Sequence, residues 1–479
     1  MTTSAASRRG FLFASGALAI SRPARLKAAD QADVIVIGAG LSGLHATYLM
    51  EMQGLKVTVL DGRKRVGGRV HTLDDVPGKP EAGGNAIGLS YARVLDTVER
   101  LGLKLGPMRF RSDPGILPTM IHVGGRMIAE NEWAASSQNP FPEDMKTKKP
   151  WEFQVPYFLG GNPLTDIESW RDPKFASHDV SVYDVAKAKG LTDAAIDIGF
   201  DKAGLYGTNS FDVSMLGMYQ IFKLASHVVQ QFGTKQFAVL GGNQRLPEAL
   251  AKSLKSDVHL NKVVAGIRTT GSGVEVYCAS GETYRSKRVI VTAPFPALRG
   301  VLFDPVLPGV QAEAISQLGY SVGHQIHFTV KRKFWEDDGM PITIWSDSVI
   351  GRLAPLYYGE HQKDPTTIIA FVNGARAVWL DRMAEADAIR HVLDVLKAIR
   401  PSTAGALRPV KVQSWQRDPM AGGLYSSWKP GQVVRFANAM AKAFGPVHFA
   451  GEHTAVLNRG MEGAMESGER AALEAMSAL

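Results

Sequence analysis

The hydrophobic pattern changes its period twice near the start of the chain. The run Asp33–Ile37 is apolar and rich in β-branched residues, which is typical of a buried parallel strand. The apolar positions that follow recur at helical spacing: Leu44, Tyr48, Leu49 and Met52. A second strand-like run, Lys56–Leu60, comes next. The order strand, helix, strand predicts that an α/β unit with a parallel sheet opens the fold.

Three glycines separate the first predicted strand from its helix. Gly38 permits a tight turn, Gly40 lets the backbone approach a pyrophosphate, and Gly43 lets the helix pack on the strand. The free N–H groups of the helix N-terminus would face the phosphates. Asp61 ends the second strand, where an acid is placed to bind ribose hydroxyls. The combination predicts a dinucleotide-binding site.

Further along, helical apolar spacing appears in segments 181–199, 213–231 and 385–399. Segment 110–175 is rich in proline, glycine, aromatic and charged residues, and it predicts long loops with little periodicity. We find no internal repeat and no low-complexity tract.

Beyond Asp61, two glycine pairs and several later motifs resemble the flavin-dependent amine oxidase family, which includes monoamine, polyamine and L-amino-acid oxidases. The motifs are Arg63-Lys-Arg-Val-Gly67-Gly68-Arg69, Glu81-Ala-Gly83-Gly84-Asn85, Gly241-Gly242-Asn-Gln-Arg-Leu246-Pro247, Val264-Ala-Gly-Ile267, Val289-Ile-Val-Thr-Ala-Pro294, Gly451-Glu452-His453-Thr454 and Met461-Glu-Gly-Ala. The likeness covers most of residues 33 to 479.

This resemblance implies a cofactor, FAD, and residues that hold it. By resemblance, Glu452 reaches the ribityl chain and Met461 offers its backbone to the isoalloxazine ring. The expected FAD-binding residues are Gly38, Gly40, Gly43, Asp61, Arg63, Gly68, Arg69, Gly84, Asn85, Val264, Glu452 and Met461. We expect no covalent link, because Leu424 stands where some members carry a flavin-bonded cysteine.

The positions of the cofactor motifs predict the domain organisation. The expected fold class is α/β, with a Rossmann-like FAD-binding domain built from the discontinuous segments 31–95, 235–305 and 420–479. Segments 96–234 and 306–419 are expected to form an α+β substrate-binding domain over the flavin.

The resemblance also implies the reaction. A neutral amine loses a hydride equivalent from the carbon next to nitrogen to flavin N5, and the resulting imine hydrolyses. Family members commonly place a lysine near N5, but here the matched position is Gln325, ten residues before Trp335. If the register were shifted by one or two, His324 or His327 would occupy that position.

The aromatic residues expected in front of the flavin are only partly present. Trp415 and Tyr425 match the family's tryptophan and first cage tyrosine, and with Gln325 they are the predicted catalytic residues. Gly460 stands where the second cage tyrosine would precede Met461. A bulkier substrate, or a ring supplied from elsewhere, would fit this half-empty cage.

A carboxylate-binding arginine is missing from its matched place. L-Amino-acid oxidases carry one just after the second glycine pair, where this chain reads Asn85-Ala-Ile-Gly88. Arg109 follows a similar motif but lies about twenty residues too late. We therefore expect a small-molecule amine without a free α-carboxylate.

Charge and cysteine content exclude other classes of protein. The chain has a formal net charge of +8, but residues 1–29 contain five basic residues and no acidic one, and no long basic block follows, so we expect no nucleic-acid partner. The single cysteine, Cys278, excludes internal disulfides. No apolar run approaches the roughly 20 residues of a membrane span, so we expect no stable membrane insertion.

The N-terminal segment resembles a twin-arginine export signal. Arg8 and Arg9 precede a short, weakly hydrophobic stretch, Phe11–Ile20. Residues 1–30 are therefore predicted to be a signal that engages the twin-arginine export machinery and directs a folded protein to the periplasm. A cytochrome c or a quinone would then be an available electron acceptor besides O₂. The sequence gives no indication of the oligomeric state.

Two other functions remain open at this point. A flavin desaturase or isomerase acting on a non-amine carbon skeleton needs neither the lysine nor the cage. A non-catalytic FAD-binding maturation protein would also tolerate both departures.

Overall fold

The computed structural model describes residues 32–107, 117–203, 207–357 and 364–479. The predicted export signal and Arg109 lie outside these ranges. None of the helices in the described ranges has the length and hydropathy that crossing a membrane requires.

The described residues contain 22 strands. They are β1 (Ala32–Ile37), β2 (Val57–Leu60), β3 (His71–Thr72), β4 (Glu81–Gly83), β5 (Ile87–Gly88), β6 (Leu105–Pro107), β7 (Thr119–Val123), β8 (Arg126–Ala129), β9 (Gln236–Val239), β10 (Val258–His259), β11 (Val264–Thr270), β12 (Gly273–Cys278), β13 (Thr283–Val291), β14 (Leu302–Asp304), β15 (Gly319–Tyr320), β16 (Gly323–Val330), β17 (Thr343–Ser346), β18 (Arg352–Leu356), β19 (Thr367–Asn373), β20 (Leu407–Ser414), β21 (Ser426–Ser427) and β22 (Val447–Phe449).

The same ranges contain 14 α-helices, several of them short. They are α1 (Leu41–Met52), α2 (Ala92–Arg100), α3 (Gln154–Leu159), α4 (Val182–Ala188), α5 (Asp193–Ile196), α6 (Met215–Phe232), α7 (Arg245–Ser253), α8 (Phe295–Leu298), α9 (Gly309–Gln317), α10 (Phe334–Asp338), α11 (Ala375–Asp381), α12 (Glu385–Ile399), α13 (Gln432–Phe436) and α14 (Gly460–Ser477).

An eight-stranded sheet carries the predicted dinucleotide unit. Its order is β10-β2-β1-β13-β12-β11-β14, and β22 also pairs with β13. Strands β10, β2, β1, β13 and β22 run parallel, and Ile37 at the end of β1 lies level with Leu60 and Val291. The glycine turn and the ends of β2 and β13 therefore meet at one edge, where doubly wound sheets bind their ligands.

Helices α1 and α14 pack against each other on this sheet. One apolar cluster joins the two helices to the sheet. Its fully buried members include Leu44, Met50, Ala471, Ala475, Val34 and Val36. The small residues of α14 let the two helices approach closely, since a Cβ at Gly468 would lie 2.2 Å from the carbonyl oxygen of Ser42. This contact fixes the start of α1 beside the C-terminal motif.

A second, mostly antiparallel sheet has seven strands in the order β20-β16-β19-β18-β17-β7-β8. Two of its strands, β7 and β8, form a hairpin inside the segment 110–175, so the expectation of loops throughout that segment is wrong. The hairpin depends on β17, which pairs in parallel with β7 from more than 200 residues away. Local periodicity could not report such a partner.

Two of the three predicted helical segments form long helices, α6 and α12. The third, 181–199, is divided into α4, α5 and a π-helical turn, Asp197–Asp201. Gly190, with a φ of +84°, lies between α4 and α5 and ends the first. Together, the two sheets and their helices have the predicted α/β organisation, a parallel-sheet unit beside a second mixed unit.

Candidate functional site

A cleft opens at the edge of the eight-stranded sheet where β1 and β2 end. Its lining runs from Asp61 and Lys262 to Glu452 and Gly460 and comes from several segments of the chain. Of the sequence-predicted site residues, it brings together Gly38, Gly40, Asp61, Arg63, Gly68, Arg69, Gly84, Val264, Tyr425, Glu452 and Met461. Gly43, Asn85, Gln325 and Trp415 do not line it.

The three glycines of the first turn have different surroundings. Gly38 has a φ of +114°, a backbone conformation that side chains rarely adopt. A Cβ at Gly43 would lie 2.0 Å from the carbonyl oxygen of Gly38, so helix and strand touch there. A Cβ at Gly40 would meet no described protein atom within 4 Å, because it would point into the cleft. The surroundings of Gly38 and Gly43 explain why these two positions are glycine, and the role of Gly40 toward a pyrophosphate stays a prediction.

Asp61 is buried at the end of β2. Its carboxylate accepts hydrogen bonds from the backbone N–H groups of Ala39 and Arg63, each at 2.7 Å. Burial nevertheless raises the pKa of this carboxyl above its usual value. Hydroxyl donors from a ligand would favour the ionised form, as a ribose at this position would.

The loop that contains Gly67 and Gly68 is held in place by hydrogen bonds. Gly67 and Gly68 both have positive φ angles, and the Gly67 N–H donates to the carbonyl of Ala39 at 2.8 Å. The Arg65 guanidinium donates to the carbonyl of Gly68 at 2.8 Å, while Gln244 donates to that of Val66 at 2.9 Å. The loop is thereby held against the first glycine turn.

The second glycine pair, Gly83-Gly84, is held by the turn that contains Gly241 and Gly242. Asn243 donates from its side chain to the carbonyls of Gly84 and Asn85, at 2.6 and 3.1 Å. Its own N–H donates to Glu81 at 2.7 Å. Burial raises the pKa of Glu81 to about 7. Asn85 therefore follows Gly84, which lines the cleft, but does not line the cleft itself.

Glu452 is the buried carboxylate at the other end of the cleft. It accepts from Arg69 at 3.1 Å, and from the N–H and hydroxyl of Ser426 at 2.8 and 3.1 Å. Burial alone would raise its pKa, but the positive charges of Arg69 and Arg459 hold the pKa below its usual value. The carboxylate is ionised and internally compensated.

Beside Glu452, the cleft is lined by one aromatic residue, Tyr425, and by one glycine, Gly460. Tyr425 lines the cleft, and the Arg459 guanidinium lies 5.9 Å from the centre of its ring. Gly460 also lines the cleft, with a φ of +59°. A Cβ at Gly460 would have the hydroxyl of Tyr91 as its nearest described neighbour, at 3.4 Å.

Gln325 and Trp415 lie one layer behind the cleft wall. Both donate to the same carbonyl, that of Ala82 in β4, at 3.3 and 2.9 Å. The amide oxygen of Gln325 contacts His327 Nε2 at 3.3 Å, and burial lowers the pKa of His327 to about 4. These two of the three residues predicted to be catalytic thus contact the Glu81–Gly83 strand, and their catalytic roles stay predictions.

His324 points away from this cluster. Neighbouring residues on a strand project to opposite faces, so His324 lies across β16 from Gln325 and His327. Its Nδ1 contacts the Asp381 carboxylate at 2.7 Å, and Ser414 donates to the same carboxylate at 2.8 Å. His324 belongs to a buried network of the seven-stranded sheet.

Comparison with known proteins agrees with this geometry. Residues 41–476 match the model of the family described as flavin containing amine oxidoreductase.

The chain belongs to this family.

Its relatives include the flavin-containing amine oxidase B of Bos taurus, 26% identical, with 94% of this chain and 87% of the relative covered. An L-amino-acid oxidase of Notechis scutatus scutatus is 25% identical, with 95% of this chain and 89% of the relative covered.

Solved structures of amine oxidases share the fold. Putrescine oxidase bound to putrescine superposes with a TM-score of 0.73 at 24% identity, over 93% of this chain and 99% of that chain. Cyclohexylamine oxidase from Brevibacterium oxydans IH-35A gives a TM-score of 0.74 at 21% identity, with the same shares covered. The predicted family and fold class are confirmed.

The cofactor of this flavin amine oxidoreductase is FAD, and the cleft suits it. Open space above Gly40, the N-terminus of α1 and the carboxylate of Asp61 provide places for the pyrophosphate and a ribose. The described residues that line the cleft include neither cysteine nor histidine, and Leu424 stands in the wall. Cys278 is buried at the end of β12. The FAD is accordingly held without a covalent bond.

The side chains of the cofactor cleft that sequence reasoning missed include Lys262 and Met420. Lys262 precedes β11 and donates its N–H to the carbonyl of Asp61 at 2.8 Å. A Cβ at Gly62 would lie 2.6 Å from the sulfur of Met420, so Met420 packs directly on the end of β2. The available signal for Met420 was an apolar residue directly after the segment Gln416–Pro419, which contains no apolar aliphatic or aromatic side chain apart from proline.

Gly40→Val is predicted to give folded protein without flavin, because the added side chain would enter the space of the pyrophosphate and touch little of the protein. The measurement is flavin absorbance after purification, together with circular dichroism. Gly43→Val is the matched control and should lose folded protein, because its Cβ would overlap the Gly38 carbonyl oxygen. A yellow Gly40→Val protein would refute this reading of the turn.

Proposed function

We propose that this flavin amine oxidoreductase is an exported amine dehydrogenase. It oxidises a small amine to an imine, which hydrolyses, and passes the electrons to a periplasmic carrier. The observation that carries the proposal is the pair of uncharged side chains behind β4, Gln325 and His327, at a position where the family resemblance leads us to expect a lysine.

Bound FAD supplies the chemistry by accepting a hydride equivalent from the carbon next to the amine nitrogen. The protein has to orient that carbon and exclude water. Tyr425 provides a flat apolar wall at this end of the cleft, and Gly460 leaves room opposite it. An amine with a bulky or branched carbon skeleton fits this arrangement.

The substrate should bind as the neutral amine. The carboxylate beside Tyr425, Glu452, already accepts hydrogen bonds from Arg69 and Ser426. An ammonium group would therefore find no uncompensated negative charge in Glu452, and the positive charges of Arg69 and Arg459 would repel it. The substrate therefore has to lose its ammonium proton before it enters the cleft or as it enters.

The charges of the side chains behind β4 support a choice of electron acceptor. A cation near the reacting edge of a flavin lowers the barrier to forming superoxide-like negative charge. Gln325 carries no charge, and the lowered pKa of His327, about 4, keeps that imidazole neutral near pH 7. His324 lies on the other face of β16, against Asp381. These contacts favour a cytochrome c or a quinone over O₂ as acceptor.

The proposed location rests on the N-terminal segment alone. Arg8 and Arg9 with the apolar stretch after them support twin-arginine export, which carries folded proteins with their cofactor. Because the FAD is bound without a covalent link inside the fold, export by this route would carry it within the folded protein.

Anaerobic mixing of the oxidised holoenzyme with a panel of amines tests the reaction. We predict bleaching of the flavin absorbance by bulky amines that lack an α-carboxylate, with slower bleaching by the corresponding α-amino acids. Bleaching by non-amine carbon skeletons alone would instead identify a desaturase or isomerase. No bleaching by any compound would favour a maturation protein.

Replacing both Arg8 and Arg9 by lysine is predicted to leave active holoenzyme in the cytoplasm, because the pair serves as an address and lies before the described fold. Cell fractionation with a flavin assay measures this outcome. Undiminished periplasmic delivery of the double variant would contradict the export proposal.

A further inference from the structure

We propose that residues 415–425, which we call the strap, retain the FAD by means of one ion pair, between Asp418 and Arg63. The strap leaves β20 of the seven-stranded sheet and reaches the cofactor cleft of the other sheet. Its role concerns cofactor retention and holds for any reaction that the bound FAD performs.

The strap extends along the cleft. Met420 lines the cleft together with Gly62 and Arg63, at the end of β2. Leu424 and Tyr425 line it beside Glu452. Release of a dinucleotide from under this segment therefore requires part of the strap to move.

Both ends of the strap are fixed by packing. At one end the indole N–H of Trp415 donates to the carbonyl of Ala82 at 2.9 Å. At the other, a Cβ at Gly422 would lie 2.2 Å from Pro296, and one at Gly423 would lie 2.6 Å from Tyr320. Such close approach leaves little freedom for the ends to separate from the body of the protein.

The middle of the strap is held differently. Asp418 lies between two exposed residues, Arg417 and Pro419. One carboxylate oxygen accepts from the N–H of Met420 at 2.8 Å and shapes the local turn, as Asx residues do. The other accepts from the Arg63 guanidinium at 2.9 Å, joining the strap to the chain just after β2.

This ion pair is well placed to govern release. The side chains of Arg63 and Asp418 are 14% and 25% exposed, so the charges are partly shielded from solvent yet within reach of salt. When the pair opens, Met420 loses the tether that keeps its sulfur over Gly62. Asp418 is thus a positioning residue for the cofactor.

The test is the rate of FAD release from diluted holoenzyme, followed by the rise in free-flavin fluorescence. Asp418→Asn keeps an acceptor for the Met420 N–H and removes only the charge. We expect Asp418→Asn and Arg63→Gln each to release FAD roughly three- to tenfold faster than the wild type. The double variant should be no faster than the faster single one, because both remove the same interaction.

Salt and a remote control separate this role from general destabilisation. Raising the ionic strength from about 0.05 M to about 0.5 M should speed release from the wild type and leave Asp418→Asn unchanged. Glu313→Gln, which breaks an exposed ion pair with Arg435 elsewhere, should behave as the wild type.

Two results would overturn the proposal. They are Asp418→Asn release within twofold of the wild type and fully multiplicative effects in the double variant. Since FAD release is measured without substrate, these outcomes are independent of amine oxidation.

Discussion

The buried ion pair between Arg69 and Glu452 is the interaction on which the cleft depends. Its partners are 383 residues apart and belong to the Gly67–Gly68 loop and the C-terminal motif. Arg69 also donates to the carbonyl of Leu424 at 3.0 Å, and Ser426 donates to Glu452. Three distant segments are thus joined around one compensated carboxylate. Loss of either partner would leave a buried charge unpaired, which costs several kcal/mol.

A second shared acceptor, the carbonyl of Ala82, connects the seven-stranded sheet to the β3–β4 pair. It receives Trp415 from the end of β20 and Gln325 from β16, while the next residues along its own chain, Gly83 and Gly84, approach the cofactor cleft. The uncharged side chain of Gln325 is therefore held behind the cleft wall by hydrogen bonds. At this end of the cleft the positive charges are those of Arg69 and Arg459, and Arg69 is paired with Glu452.

Much of the cofactor site could be predicted from local sequence, because its parts are turns. Gly38, Gly40 and Gly43 are each glycine for one local physical reason. A short sequence motif is therefore enough to identify the turn. The position of Gln325 behind the wall could not be predicted, since it depends on which strand lies in front of β16. The β7–β8 hairpin was missed for a similar reason, because its partner β17 is remote in sequence.

The central claim is that neutrality around Gln325 directs electrons to a carrier, and stopped-flow reoxidation of substrate-reduced enzyme tests it most directly. We predict slow reoxidation of the wild type by air and rapid reoxidation by cytochrome c or a quinone. Gln325→Lys should accelerate the reaction with air by roughly 10- to 100-fold, and Gln325→Met, of similar length and without charge, should not. Fast wild-type reoxidation by air that the lysine variant leaves unchanged would contradict the account.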